Sequence, residues 1–494
     1  MKGIGARKKA NSFSRKTAAG SVLLFLVNYI ILIGLMMLFV LMNSLNENSV
    51  SFQTYFTEDF SDFVYLLCSL FVLFLIMYFY YFFEKRSVLE SPKDIFLIFI
   101  LLDVSIIICY LFGFFFNIYS RPVAMLALLA LLLLGRRDAI FLNTIFALEM
   151  LAIDHFTNFA ITGINESAAA MSVLITFSAG MIGIFVGSKV KTRIYSFLTG
   201  FAVCIPILLM IACLEYDAGI HLVYRLLYGL EGGICSAVLF MALLPVFEVC
   251  FNCITDYRLR ELTDHDAPLM RQLKEHAYGT FNHCIVVAHL AEACAIELNE
   301  DTSLARACAY YHDVGKLRQP EYFTENQSGY NPHDELSPEL SVDIIRSHAK
   351  DGYDLIRARR LPKVLADVAL QHHGTMPIKF FYAKALKMTD GEAKIEDYSY
   401  TGPKPQTKIA AIIMISDACE AVSRTLPDRS PEHVEGSVRS IIEERLDSGQ
   451  FDECDITMGD LTLIKNAIVN CLAGVYHSRI EYPKLKLGRK RSGE

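Results

Sequence analysis

Tryptophan is absent from all 494 residues, so any interfacial aromatic belt would have to come from the 24 Tyr and 34 Phe. The 13 Cys form no CxxC pair and no regular spacing, which argues against a disulfide framework and for reduced thiols. Charged residues are scarce over roughly the first 253 positions, where most of the 53% hydrophobic content is concentrated. An ordinary soluble protein is thereby excluded for that half. Beyond about 254 no stretch shows sustained strand alternation, which excludes a sheet-based domain. The net charge of −7 averages two different objects and calls for no DNA or RNA polymer as partner.

What is present begins with a basic, polar stretch, residues 1–19 (Lys2, Arg7, Lys8, Lys9, Arg15, Lys16). An apolar run over 20–43 follows, long enough to cross a hydrocarbon core of about 30 Å at 1.5 Å per residue. A signal peptide would need a small-residue cleavage site after the run, and none follows. Further runs occupy about 62–83, 94–116, 121–135, 138–153, 168–188, 195–214 and 231–251. The pair flanking Arg136, Arg137 and Asp138 is short and reads as two half-length helices or one broken span. If all eight cross, one side's loops hold Lys85, Arg86, Lys93, Arg136, Arg137, Lys189, Lys191 and Arg193, and the other side's hold only Arg121 and Arg225. The positive-inside rule then puts both termini in the cytoplasm. Asp103, Glu149 and Glu248 lie within the runs and are given no role. The segment 214–231 reads as a short interfacial helix.

From 254 to 268 an amphipathic linker leaves the last run and breaks at Pro268. Apolar spacing then fits helices over 269–277, 282–299, 302–312, 337–350, 361–372, 405–426, 431–447 and 459–477, punctuated by Gly and Pro. The fold class is all-α: a membrane-spanning helical bundle over 20–253, then a cytoplasmic all-helical domain over 269–483 and a basic tail over 484–494.

Nine of the thirteen His lie between 265 and 373. A lone His on a helix is usually structural, and His265, His276, His289 and His477 are read so. The strings YYHDVGK, RSHAKDG and LQHHG differ in kind. Each sets His at the last turn of an expected helix just before Gly, which suits a left-handed cap. Helix C-termini carry partial negative charge, so three converging ends would favour cations. His283 lies in a largely apolar helix, and Asp417 follows an almost wholly apolar run. Burying that carboxylate unpaired costs several kcal/mol; a metal ion removes the cost, and a salt bridge to Arg424 is the plainer alternative. His283, His312, His348, His372, His373, Asp313 and Asp417 together suit two borderline transition metals better than Mg²⁺ or Ca²⁺. Asp313 could bridge them. Two metals about 3.5–4 Å apart, sharing a hydroxide nucleophile, serve displacement at phosphorus.

The order His283, then His312–Asp313, then Asp417 resembles the H…HD…D signature of the HD phosphohydrolase superfamily. AYYHDVGKLRQPEYFTENQ, NPHDELSPELS, SHAKDGYDL, QHHGT, GPKPQTKIAAIIMISDACEAVSR, GQFDECDIT and GVYHSRIEYP narrow the resemblance to the PgpH-type seven-transmembrane HD proteins. It covers about 240–483 closely and the runs from about 62 more loosely. That family's members are bacterial membrane phosphodiesterases that hydrolyse cyclic di-AMP to the linear dinucleotide pApA, using iron or manganese.

The resemblance implies one metal on His283, His312, Asp313 and Asp417. It implies a second on His348, His372 and His373, bridged by Asp313. Lys316 would lie near the scissile phosphate as a charge stabiliser or proton donor, so Asp313 and Lys316 are the expected catalytic pair.

Three departures matter. Only 44–61 stands where the family usually has a large extracytoplasmic domain. The lead-in to His283 reads Tyr278-Gly279-Thr280-Phe281-Asn282. The insert 375–401 is polar and aromatic and should shape substrate access. Competing readings are an HD phosphodiesterase for cyclic di-GMP or another nucleotide, a non-enzymatic membrane-coupled nucleotide sensor, and a transporter. The cyclic di-GMP subgroup carries a GYP tripeptide that is absent here. A sensor would have lost ligands, and a transporter would need paired broken helices. Oligomerisation is left open.

Overall fold

The computed structural model describes residues 15–46, 60–156, 166–190, 192–389, 391–426 and 430–475. The basic start up to residue 14, most of the 44–61 segment, His477 and the 484–494 tail lie outside the described residues. The chain divides into two compact units, Met1–Tyr257 and Arg258–Glu494. Among the described residues both are helical, with one isolated bridge, Pro377 to Ser399, and no strand.

The first unit contains α1 (Arg15–Asn46), α2 (Phe60–Glu84), α3 (Arg86–Glu90), α4 (Pro92–Phe115), α5 (Met125–Leu133), α6 (Arg136–Phe156), α7 (Glu166–Gly187), α8 (Arg193–Leu214) and α9 (Ile220–Cys250). Capping residues define some ends: Ser91 Oγ accepts from Asp94 N at 3.3 Å, and Pro92 takes the first turn of α4. By length and composition α1, α2, α4, α8 and α9 can each cross a membrane. Helix α5 has nine residues and rises about 13 Å; with the turn before it the apolar stretch runs Ile118–Leu133, shorter than the five above. Gly135, at φ +98°, makes the turn into α6. The short interfacial helix expected over 214–231 is also not there; α9 runs unbroken for 31 residues from Ile220. It packs on α8 through Gly229, Gly233 and Ala237, four residues apart on one face. A Cβ on Gly233 would overlap Cys204, and one on Gly200 would lie 2.9 Å from Ala237 Cβ.

Arg121, counted above as a loop charge, is 3% exposed. It makes two 2.7 Å hydrogen bonds to Asp154 of α6, with Ser172 donating to the same carboxylate at 3.2 Å. The Arg121–Pro122 pair between apolar runs looks like a turn in sequence, and only the fold brings Asp154 to it. Glu248 is likewise paired, with Arg193 at 2.8 Å.

The second unit contains α10 (Asp256–Leu262, entering from the first), α11 (Pro268–His276), α12 (Tyr278–Glu297), α13 (Thr302–Tyr311), α14 (Pro338–Ala358), α15 (Lys363–Gln371), α16 (Lys379–Met388), α17 (Lys408–Thr425), α18 (Pro431–Asp447) and α19 (Met458–Val475). Helix α12 meets the length and hydropathy expected of a span, at 1.2 against 2.1–2.9 for the five above. It is instead the central helix of this globular unit, flanked by α13, α17 and α19. Val287, Leu290, Ala291 and Cys294 are buried against them. The 375–401 insert folds as α16 and a short turn, and Phe381, Ala385 and Tyr398 pack on Val342 of α14.

Candidate metal centre

Five helices bring the seven expected side chains together. His312 caps the C-terminus of α13 and Asp313 follows it; His372 caps α15 and His373 follows; His283 and Asp417 come from the interiors of α12 and α17. His348 departs from expectation, because α14 continues past Gly352 to Ala358. Of the three glycines, only Gly374 (φ +53°) takes the left-handed conformation. Gly315 and Gly352 serve close approach instead. A Cβ on Gly315 would overlap the His348 carbonyl oxygen and lie 2.5 Å from Gly352 N. Small residues there let the turn after Asp313 (Val314–Arg318) lie directly on α14.

Asp313 faces two ways. Its Oδ2 is 3.4 Å from His312 Nε2 and 3.6 Å from His283 Nε2, whereas its Oδ1 is 3.3 Å from His348 Nε2 and 3.6 Å from His372 Nε2. Asp417 repeats the pattern: Oδ1 lies 3.0 Å from His283 Nε2, and Oδ2 lies 3.8 Å from His373 Nδ1. Arg424, the plainer partner for Asp417, pairs with Glu420 at 2.5 Å instead.

Hydrogen bonds on the far side of each ring fix which nitrogen looks inward. His312, His348 and His372 place Nδ1 at 2.7, 2.5 and 2.8 Å from the carbonyls of Ala309, Ile345 and Ala369. A carbonyl only accepts, so Nδ1 carries the proton and the Nε2 lone pair points into the cluster. His283 does the same through Glu420 Oε2 at 2.6 Å.

The donor set fits divalent ions. His312 Nε2 and Asp313 Oδ1 are buried and make no well-aligned hydrogen bond, a cost of about 1–3 kcal/mol each unless a cation takes them; Asp313 Oδ2 and His283 Nε2 already face Lys316 at 2.6 Å and Asp417 at 3.0 Å. His348 and His372 bring two Nε2 atoms to 3.3 Å, a separation suited to a shared cation. Potential ligand atoms of Asp313, His348, His372 and His373, and separately of His283, His312 and Asp313, lie within 4.8 Å of one another.

The two groups differ electrically. Burial alone would lower the His283 pKa, but hydrogen bonds to Asp417 and Glu420 raise it to about 10, so an ion binding there would displace the Nε2 proton. Burial holds His348 down to about 4 and puts His373 well below the usual imidazole range. Burial opposes charge on Lys316 too, yet Asp313 at 2.6 Å and Glu325 at 2.8 Å hold it firmly protonated.

A cavity of about 450 Å³ opens onto these groups, lined among others by Lys316, Phe323, Glu325, Tyr400, Glu420 and Arg424. The Tyr400 ring, from the insert, stacks on His373 at 4.2 Å. Glu325, Tyr400 and Glu420 were not singled out from sequence. Glu420 carried a readable signal, one turn beyond Asp417 on a helix too apolar to present a surface acid.

Comparison with known proteins agrees in both units. The HD domain profile matches residues 280–422, and that of the 7TM receptor with intracellular HD hydrolase matches residues 62–255. The cyclic-di-AMP phosphodiesterase PgpH of Bacillus subtilis (strain 168) is 39% identical over 372 residues, 74% of this chain and 51% of that protein. The protein of the same name from Listeria monocytogenes serotype 1/2a (strain 10403S) is 37% identical over 368 residues, 73% and 50%. This chain thus spans about half the length of the curated relatives it matches. A solved structure of the L. monocytogenes PgpH HD domain in complex with cyclic-di-AMP shares 45% identity over 44% of this chain and all of that one, at a TM-score of 0.42.

Proposed function

We propose that this chain, which belongs to the family of 7TM receptors with an intracellular HD hydrolase, is a membrane-anchored phosphodiesterase that hydrolyses cyclic di-AMP to linear pApA. The observation that carries the reading is the two-sided Asp313, with two imidazoles facing each of its oxygens beside a cavity large enough for a nucleotide. His283, His312 and Asp417 would hold one ion and His348, His372 and His373 the other, with Asp313 between them. Iron or manganese suits so many imidazoles. Two such ions would supply a shared hydroxide nucleophile and neutralise charge at phosphorus.

The chain's own groups do the rest. Lys316, held at 2.6 Å from Asp313 and 2.8 Å from Glu325, would serve as a charge stabiliser or proton donor. Arg424 sets a second cation at the cavity wall, and Tyr400 gives that wall an aromatic face. The choice of cyclic di-AMP is supported by the two PgpH relatives. We also place the chain in the cytoplasmic membrane with both termini inside, from the basic loops and with the short Ile118–Leu133 stretch counted as one of eight crossings. Cysteine-labelling of Lys85, Arg225 and Lys408 positions from either side of the membrane tests that topology.

The activity is tested on the full-length chain in detergent, loaded with Mn²⁺ and given cyclic di-AMP or cyclic di-GMP. Conversion of the first to pApA is expected. Absence of turnover on both, with metal bound, removes the proposal; turnover of cyclic di-GMP alone replaces the substrate.

A further inference from the structure

Three of the inward-facing imidazoles are oriented by carbonyls three residues back on their own helices. His283 is the exception. Its Nδ1 donates to Glu420, which belongs to a different helix and is only 3% exposed. The other oxygen of Glu420 accepts from Arg424 Nε at 2.5 Å. An exposed i,i+4 pair on a helix is worth about 0.3–0.5 kcal/mol and gives no reason to bury its acid. A carboxylate behind a metal-binding imidazole fixes the tautomer and makes the ring a stronger donor.

We propose that Glu420 is a positioning residue for metal binding: it holds the His283 ring with Nε2 toward Asp313 and Asp417, and Arg424 holds Glu420 in place. This rests on the two-metal reading of the site but not on the substrate. The ring of His283 then depends on the register between α12 and α17, whereas His348 and His372 opposite take their orientation from their own helices. Arg424 also lines the cavity, so the clamp on Glu420 stands within reach of whatever enters it.

The test is Mn²⁺ binding to the full-length chain in detergent, without substrate, followed by calorimetry and by the electron paramagnetic resonance signal of a coupled Mn²⁺ pair. His283→Ala identifies which binding step belongs to the His283 side. Glu420→Gln keeps the size and removes the charge. It should weaken that same step by about 10–100-fold, diminish the pair signal and leave the other step unchanged. Arg424→Gln should weaken the same step by a smaller factor. Should Glu420→Gln fail to fold, judged by circular dichroism without metal, Arg424→Gln carries the test alone. Two unchanged binding steps in the folded variants overturn the proposal, and so does equal weakening of both. Because no turnover is measured, a chain inactive on every cyclic dinucleotide could still pass or fail here.

Discussion

At the scale of single residues the site turns on Asp313, whose two oxygens look in opposite directions. Asp313→Ala should lower bound metal from two ions per chain toward none and reduce turnover by at least a hundredfold, with elemental analysis as the check. A variant that lost rate and kept both ions would remove the shared role. The seven candidate ligands could be picked out because three strings set His near a helix end before Gly, and because His283 and Asp417 sit in runs too apolar for a surface residue. Glu325 and Tyr400 were not legible. Each is an ordinary polar residue in an ordinary loop, and only the fold brings Glu325 to Lys316 and Tyr400 to His373.

Gly315 makes a second residue-scale point. The sequence suggested a helix cap, but the backbone there is pressed against α14. Gly315→Ala cannot be absorbed by a side-chain rotation, since its neighbours are a carbonyl and an amide. It should cost about 1–3 kcal/mol by overpacking. It should also weaken metal binding, because α14 carries His348. A thermal melt and a Mn²⁺ titration read the two effects; an unchanged melting temperature would refute the close approach.

At the scale of elements, helix positions in the second unit followed from apolar spacing to within a few residues, except where tertiary contact overrode a local signal. Gly352 read as a stop, yet α14 runs on because that face packs against the turn after Asp313. The start of α19 is fixed by local chemistry: Thr457 Oγ1 accepts from Asp460 N at 3.1 Å, and Asp460 Oδ2 accepts from Thr457 N at 3.0 Å. Burial opposes the Asp460 charge, but Lys408 at 2.9 Å and this cap hold its pKa below the ordinary value. A depressed carboxylate stabilises the fold above its unfolded pKa of about 3.9, and that stability is lost as pH falls through the lower folded value. Asp460→Asn should therefore cost about 0.3–1 kcal/mol at pH 7. The gap to the parent should close as pH falls below the ordinary carboxylate range. Chemical denaturation at several pH values measures it; a gap that persists in acid would contradict the charge-based account.

For the whole molecule, two units of contrasting composition could be read at once, because one buries charge and the other displays it. The pairing inside the first unit could not, since Arg121 and Asp154 are separated by 33 positions and look unrelated in the chain. Asp154→Asn should strand a buried guanidinium and cost about 3–5 kcal/mol. Replacing both, as Arg121→Met with Asp154→Leu, should recover most of it. Survival of detergent-solubilised protein through a heat step, read by size-exclusion chromatography, distinguishes the two; equal loss in both variants would show that the pair is not what holds these segments together.

That pair has a consequence for how the protein is made. Lipid supplies no counter-ion, so α6 entering the bilayer alone would carry a bare carboxylate, and the segment before α5 a bare guanidinium. Neither is comfortable until the other arrives. Biogenesis therefore has a natural holding point: residues 121 to 154 should leave the insertion machinery together, as one hairpin-like parcel already neutralised.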